Sequence, residues 1–574
     1  VSTAAEGTAA LSTAVLDTAA AGTAAADPSA TTLEHPVNTT VTVDLDRPGA
    51  TISKHVYGHF AEHLGRCIYD GFWVGEDSPV PNAGGIRLDV VEALRALDIP
   101  NLRWPGGCFA DRYHWTNGIG PREERPGLIN TQWGGVAEDN SFGTHEFMAL
   151  CELLGADAYV SGNIGSGTVQ EMADWVEYLT GSGKSPMADL RRSHGREEPW
   201  TVRYWGLGNE TWGCGGNMRA GAYADLARQF GTFVQSGNDV PLHRIAAGAD
   251  GADTHWTQTL MEVIPEIEGH PFSSVPWESI SVHYYTIGGS WQAKGSATEF
   301  DADAYWSTIV AAQGIEELLR SHAAVMDVHD PEKKYGMVLD EWGTWWDVEP
   351  GTHPGFLFQQ NTIRDAMVAG LHFDVFHAFA DRLSMANIAQ TVNVLQAMLL
   401  TDPDGGEMVR TPTYHVFEMN KGHQDATALP TTVAGPTHAV DGREIALASA
   451  SASVKDGRVL VSMTNVDLDE PLEIELSFRG GAVTGATGRL LTADSPQAHN
   501  RPGDADAVSP VALEGLETTA TGLRVTLPPH SFATVSLELA EAGVEGSVAG
   551  GSAAGGAVET VSGASGSGVE GSDA

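Results

Sequence analysis

From about residue 52 to about residue 400 the chain alternates short apolar, β-prone runs with longer segments whose apolar positions recur at helical spacing. Strands are predicted at 52–57, 101–104, 158–162, 203–207, 244–247, 280–284, 335–339 and 373–379. Amphipathic helices are predicted at 89–97, 143–154, 170–179, 218–235, 254–267, 302–325, 359–370 and 385–400. Eight β/α units in succession argue for α/β architecture, a closed parallel (β/α)8 TIM barrel. The competing arrangement is an open doubly wound sheet, but no Gly-x-Gly-x-x-Gly fingerprint follows the first strand.

After Asp402-Pro-Asp-Gly-Gly406 the texture changes to short alternating runs, at 439–440, 445–449, 454–464, 471–478, 483–491, 523–527 and 531–539. Turn residues separate them, as in an antiparallel, jelly-roll-like β-sandwich. The run Val41-Thr-Val-Asp-Leu45 is too short to stand alone and is expected to join that sandwich. The domain expectation is a disordered low-complexity stretch at 1–35, the joining strand at 36–51, and the catalytic barrel at 52–400. The sandwich follows at 401–540, and a disordered Gly/Ser/Ala-rich tail at 541–574.

Two of the predicted strands run into acids. Tyr204-Trp-Gly-Leu-Gly stops at Asn209-Glu210, and Lys334-Tyr-Gly-Met-Val-Leu339 stops at Asp340-Glu341-Trp342-Gly343. The C-terminal ends of barrel strands are where such a fold carries catalysis. With Glu210 after the fourth strand and Glu341 after the seventh, a closed barrel places both carboxyls at one mouth. Two carboxyls about 5–5.5 Å apart form the arrangement of a retaining glycosidase. One must then be protonated and the other ionised, because charges that close resist joint ionisation. The plainer reading, two unrelated strand-end acids, is disfavoured by the repeated pattern.

Charge and composition narrow the partners. Lys and Arg number 32 against 75 Asp and Glu, a formal charge of −43. That balance repels phosphate backbones and anionic headgroups, so no nucleic acid and no membrane is expected as partner, and neutral substrates fit. No apolar stretch of about 20 residues is present, and the first 32 residues lack a basic and then apolar signal pattern, so a cytoplasmic location is expected. Cys67, Cys108, Cys151 and Cys214 form no CxxC pair and no zinc spacing; all four are expected to be reduced, with no metal. His59 and His63 lack a third ligand and read as loop-structuring residues. Trp342, Trp345 and Trp346 are candidates for a sugar-stacking wall, and Trp133 for substrate contact from a loop above the barrel.

Four motifs together carry a resemblance. Tyr57-Gly-His-Phe-Ala-Glu62-His-Leu-Gly-Arg66, Leu102-Arg103-Trp-Pro-Gly-Gly-Cys108-Phe-Ala-Asp111, Gly208-Asn209-Glu210 and Leu339-Asp-Glu341-Trp-Gly343 resemble, in order and spacing, the α-L-arabinofuranosidases of glycoside hydrolase family 51. The resemblance runs from about residue 40 to about 540. It implies a retaining, exo-acting hydrolase of terminal arabinofuranosyl residues on arabinan, arabinoxylan or their oligosaccharides, with no cofactor and a homo-oligomeric, possibly hexameric, assembly. It implies Glu210 as general acid/base, Glu341 as nucleophile, Asn209 on the sugar 2-hydroxyl, and Arg103 orienting the nucleophile. Glu62, Tyr285 and Gln390 complete the implied sugar site. Many family members carry Asn where Cys108 stands; a thiol is a weak donor, so substrate contacts are expected to differ there. Two other readings stay open: a β-xylosidase or β-glucanase of the same clan, and a non-catalytic carbohydrate-binding protein.

Overall fold

Eight parallel strands close into a barrel in simple sequential order in the computed structural model, which describes residues 38–268, 275–402 and 406–539. The expectations for residues 1–35 and 541–574 lie outside the described residues. The barrel strands are β1 (Gly58–Phe60), β2 (Asn101–Trp104), β3 (Asp157–Gly162), β4 (Tyr204–Leu207), β5 (His243–Ala249), β6 (Ser279–Thr286), β7 (Gly336–Thr344) and β8 (Leu383–Ile388). Asn387 of β8 pairs with Gly58 of β1 and closes the ring. Tyr159, Ile245, Val338 and Met385, from alternate-numbered strands and β8, form an apolar cluster inside it.

Two strand expectations are corrected. Residues 54–57 form a 3₁₀ turn capped by the Ser53 hydroxyl, and the first strand begins only at Gly58. The run 373–379 is not the eighth strand; it falls in the helix Ile363–Ala378 and just beyond it. The true eighth strand, Leu383–Ile388, overlaps the start of the segment expected to be helical at 385–400. The cause is burial. The helix is enclosed by the barrel on one side and the second domain on the other, and nearly all of its residues are buried. A helix covered all round shows no apolar stripe, so its sequence resembles a buried strand.

That helix also joins the two domains. Asp374 accepts hydrogen bonds from Ser449 and Ser451, each 2.6 Å, and His377 bridges Tyr57 Oη at 2.7 Å and Ser451 Oγ at 2.8 Å.

The second domain has two facing sheets. One runs Thr431–Ala434, Thr39–Asp44, Leu472–Arg479, Gly522–Leu527, Glu517–Thr518; the other runs Thr427–Leu429, Ala448–Lys455, Arg458–Asn465, Ser531–Leu539, Val483–Leu491, Val511–Ala512. The N-terminal strand Thr39–Asp44 is antiparallel to Thr431–Ala434 and parallel to Leu472–Arg479, an exception in an otherwise antiparallel domain. Val41, Val461, Leu476, Val525 and Val535 are among the apolar side chains filling the interior.

Candidate active site

The mouth of the barrel is organised by one buried guanidinium. Arg103 on β2 is 1% exposed. It donates from Nη1 to Glu341 Oε1 at 3.0 Å and to the Asp340 carbonyl at 3.0 Å, and from Nη2 to Asn209 Oδ1 at 2.6 Å. Its Nε lies 3.5 Å from Asp340 Oδ2, and the guanidinium carbon sits 4.6 Å from the centre of the Phe60 ring. Burial alone would lower the Arg103 pKa, but Asp340, Tyr159 and Glu341 raise it. The cation is therefore fixed, and it locks the carboxylate of β7 to the amide beside β4.

Asp340 and Glu341 are consecutive on a strand, yet both side chains reach Arg103. Strict alternation would send them to opposite faces. The pairing of β7 is irregular here, with register shifts against β6 between Ser281 and His283 and against β8 between Leu339 and Trp342. Such a shift re-aims a side chain at a barrel rim. Glu341 thus stands within β7, not after it, with Oε2 accepting from Tyr285 Oη at 2.8 Å.

Glu210 is held differently. It lies beyond the end of β4 with φ +41°, a left-handed conformation that a glutamate adopts only when its surroundings enforce it. Its carbonyl accepts from Gly213 N at 2.7 Å and Gly215 N at 3.1 Å, and the preceding Asn209 N donates to Asp111 Oδ2 at 2.8 Å. Glu210 Oε1 faces His283 Nδ1 at 2.9 Å, while Oε2 faces sulfur, 3.5 Å from Cys214 and 3.8 Å from Cys108. Burial raises the Glu210 pKa, aided by the charge of Glu341 and opposed by the His283 hydrogen bond. A carboxylate oxygen of Glu210, one of Glu341 and a nitrogen of His283 all lie within 4.8 Å of one another.

His283 links the two acids. Its Nε2 meets Asp340 Oδ1 at 3.1 Å and its Nδ1 is also 3.7 Å from Glu341 Oε2. Burial would lower its pKa, but Glu341, Asp340 and Glu210 raise it well above the usual imidazole value. Asp340 is held down to about 2: burial opposes ionisation, and Arg103, His283 and the Tyr159 hydroxyl, 2.6 Å away, overcome it.

Glu62, in the loop after β1, completes the floor. Its Oε1 accepts from Gly107 N, Phe109 N and Trp133 Nε1 at 3.0, 3.1 and 2.9 Å, and its Oε2 accepts from Gln390 Nε2 at 2.8 Å. Burial, and then the charge of Glu341, pushes this carboxyl up to about 7. Gly107 has to be glycine: a Cβ there would lie 2.6 Å from Glu341 Oε1 and 3.4 Å from Asn209 Nδ2. Asn209 Nδ2 and Gln390 Oε1 are buried without a protein partner. An unpaired donor and acceptor beside two carboxylates are groups poised for a polyhydroxylated ligand.

All nine residues expected at the site, Glu62, Arg103, Cys108, Trp133, Asn209, Glu210, Tyr285, Glu341 and Gln390, therefore meet at one mouth. The expectation that all cysteines are reduced is corrected. Cys108 and Cys214 are joined by a disulfide, while Cys67 and Cys151 are free and buried. The loops after β2 and β4 face each other across the mouth, a proximity invisible in a sequence separation of 106. Of the tryptophan wall only Trp345 faces the mouth, edge-on to Tyr285 and to the exposed Trp291 at 5.0 Å each. Trp342 packs in the core against Phe417, and Trp346 donates to Asp365. His63 accepts from Trp104 Nε1 and packs among aromatic rings, and His59 lies buried against Phe417.

His283, Asp340 and Asp111 also belong to the site, and residue type alone does not mark them. His283 precedes Tyr285 by two positions on β6, so strand alternation places both on one face, and that was the available signal.

Comparison with known proteins decides the family. Residues 93–260 match the family model described as the α-L-arabinofuranosidase 1 domain, and residues 340–531 the α-L-arabinofuranosidase C-terminal domain. An intracellular exo-α-L-arabinofuranosidase from Bacteroides ovatus is 49% identical over 89% of this chain and 98% of its own. The chain belongs to the α-L-arabinofuranosidases of glycoside hydrolase family 51. The crystal structure of the family 51 arabinofuranosidase from Xanthomonas axonopodis pv. citri superposes with a TM-score of 0.84 at 46% identity, covering 88% of this chain and 100% of that one. The Thermotoga maritima α-L-arabinofuranosidase, solved as its arabinose complex, gives 0.74 at 30% identity over 87% of this chain and 100% of that one. A glucanase-xylanase from a metagenome library, at 14% identity and a TM-score of 0.57, shares the fold alone. This arabinofuranosidase is accordingly an enzyme that hydrolyses arabinofuranosides, and its two matched models divide between the barrel and the region reaching into the sandwich.

Proposed function

We propose that the enzyme cleaves terminal α-L-arabinofuranosyl residues by a retaining double displacement, with Glu341 as nucleophile and Glu210 as acid/base. The observation that carries this reading is the pair of carboxylates with oxygens inside 4.8 Å and opposite surroundings. Retaining glycosidases hold their carboxyls about 5–5.5 Å apart, with no room for a water between the nucleophilic carboxylate and the sugar. Glu341 is paired with the Arg103 guanidinium and oriented by the Tyr285 hydroxyl. Burial pushes the Glu210 acid up, and with Oε1 engaged by His283, Oε2 is the oxygen left to carry the transferable proton.

In the first step a Glu341 oxygen bonds to the anomeric carbon while the glycosidic bond breaks and the Glu210 proton moves to the departing oxygen. In the second a water oxygen bonds to that carbon, its proton passes to Glu210, and the ester to Glu341 breaks. Asn209 Nδ2, unpaired beside Glu341, meets the 2-hydroxyl, where contacts strengthen as the transition state forms. Glu62 and Gln390 take the remaining ring hydroxyls, and Trp133 and Trp345 border the opening.

Arabinan, arabinoxylan and their oligosaccharides are the proposed substrates, and a homo-oligomer the proposed assembly. The Bacteroides ovatus relative's description as intracellular and exo-acting supports a cytoplasmic, chain-end role. The test is release of p-nitrophenol from its α-L-arabinofuranoside by wild type and by Glu341→Ala with azide. Loss in the variant and recovery as the inverted β-arabinofuranosyl azide is expected. Wild type inert on this glycoside but active on the β-D-xyloside would overturn the substrate, and recovery as the α-azide would overturn the nucleophile.

A further inference from the structure

The mechanism leaves one covalent feature unused. The Cys108–Cys214 disulfide crosses the mouth from the loop after β2 to the loop after β4, and both sulfurs lie against Glu210 Oε2, at 3.8 and 3.5 Å. Backbone crowds it from either side. Gly107, next to Cys108, abuts Glu341, and a Cβ on Gly215, next to Cys214, would lie 1.9 Å from the Asn209 carbonyl and 2.5 Å from Asp111 Oδ2. The bond therefore joins the two loops at the point where they press on the nucleophile, the acid/base and the amide between them. Both cysteines are half-buried, and Cys214 also lines a groove of about 610 Å³ with Asp111, Arg112, His114 and Ser166, which admits a small thiol.

We propose that the Cys108–Cys214 disulfide is a positioning element for the acid/base Glu210, holding an unsolvating sulfur surface against its proton-bearing oxygen, and that cleaving the disulfide slows protonation of the leaving group. This rests on Glu210 being the acid/base. A disulfide sulfur donates no hydrogen bond, so Oε2 is left without a donor that favours its charged form. The other groups facing Glu210 are His283 on β6, Glu341 on β7 and Arg103 on β2, with Tyr285 and Asp340 one contact further out. None of them is removed when the sulfur bond opens. Water or two S–H donors then reach Oε2, favour the carboxylate, and lower the pH at which the acid loses its proton.

A dithiol such as dithiothreitol supplies the reducing step. One of its thiolates attacks a cystine sulfur and the S–S bond breaks. The second thiolate attacks the reagent's own sulfur in the mixed disulfide and displaces the protein sulfur, the reagent leaves as a cyclic disulfide, and two protons end on Cys108 and Cys214.

Two forms are compared with wild type: Cys108→Ala/Cys214→Ala, and wild type reduced in its folded state, each checked by circular dichroism and melting. kcat/KM is measured on an arabinofuranosyl disaccharide, which needs the acid, and on 2,4-dinitrophenyl α-L-arabinofuranoside, which does not. General acid catalysis is worth about 10²–10⁴-fold, so a loss of roughly 10-fold or more is expected on the disaccharide and less than about 3-fold on the aryl glycoside. The alkaline limb of the disaccharide profile is expected to move down by about 0.5–1 pH unit. Equal losses on both substrates, or an unmoved limb, would overturn the proposal. If the double variant does not fold, the reduced wild type decides alone: folded, with two more alkylatable cysteines and unchanged kinetics, it overturns the proposal. Four alkylatable cysteines in the unreduced, denatured chain would also overturn it. Glu210→Ala run alongside separates the underlying assignment, because equal loss on both substrates in that variant would mean Glu210 is not the acid.

Discussion

The interior of the sandwich and the floor of the barrel mouth are both buried, and they are filled by opposite kinds of side chain. In the sandwich, Val41, Val461, Leu476, Val525 and Val535 are buried to 1% exposure or less and stabilise by leaving water. At the mouth, Glu62, Arg103, Asp340 and Glu341 are 2, 1, 2 and 6% exposed, yet all are ionisable. A buried ion pair seldom stabilises more than an apolar packing of the same volume would, whereas breaking one is costly. The mouth is therefore arranged for chemistry and tolerated by the fold, while the sandwich is arranged for cohesion. Substitutions in the two regions should separate accordingly, rate from stability.

The largest effect is expected for Glu210→Gln, which keeps the shape and removes the transferable proton. Hydrolysis of unactivated arabinofuranosides should fall by about 10²–10⁴-fold with little change in melting temperature, read by steady-state kinetics and calorimetry. A melting shift as large as the rate effect would blur the distinction between the regions.

Arg103→Met comes next and should cross the divide. It leaves Glu341 and Asp340 buried without their cation, a loss of about 3–5 kcal/mol in denaturant unfolding, and it frees the nucleophile from its orientation. Rate and stability should both drop.

Leu476→Ala tests the other region. Opening a cavity in the sandwich should remove about 2–5 kcal/mol of stability, while kcat per folded molecule stays at the wild-type value. A change in kcat would show that the sandwich reaches the mouth through the helix Ile363–Ala378.

The smallest effect is a pH dependence. The Asp340 pKa is lowered to about 2 in the folded enzyme from an ordinary 3.8, so the folded state binds fewer protons than the unfolded chain in that window. Its contribution is complete above about pH 4 and is lost as pH falls through about 2. Asp340→Asn should flatten acid unfolding in this range, measured by circular dichroism, without altering the slope near neutrality.

The same contrast explains what could be read from the chain. The barrel follows from eight alternating units, and the two catalytic candidates follow from apolar runs that stop at acids, because both signals are local. The eighth strand was misplaced because the helix Ile363–Ala378 is buried all round and carries no helical stripe. Asp340 has no local signal, because only an irregular register turns it inward beside Glu341. The Cys108–Cys214 bond was hidden for a related reason: its proximity is created by barrel closure and has no trace in local spacing. Residues whose role depends on ring closure are legible only once the ring is built.

The N-terminal strand carries a consequence for how the molecule is made. Thr39–Asp44 fills the slot between Thr431–Ala434 and Leu472–Arg479, and its Thr42 hydroxyl meets that of Ser477 across 435 positions of chain. At synthesis rates of about 5–20 residues per second, this strand waits roughly 20 to 90 s for its partner to emerge. The barrel's last strand ends at Ile388, so the barrel can close while the sandwich still lacks its second domain half. Through that interval Thr39–Asp44 is a loose strand with both edges open and Val41 and Val43 uncovered, a target for chaperones and for strands of neighbouring nascent chains. Its capture ties a segment that precedes the barrel to strands that follow it, across the whole length of the barrel.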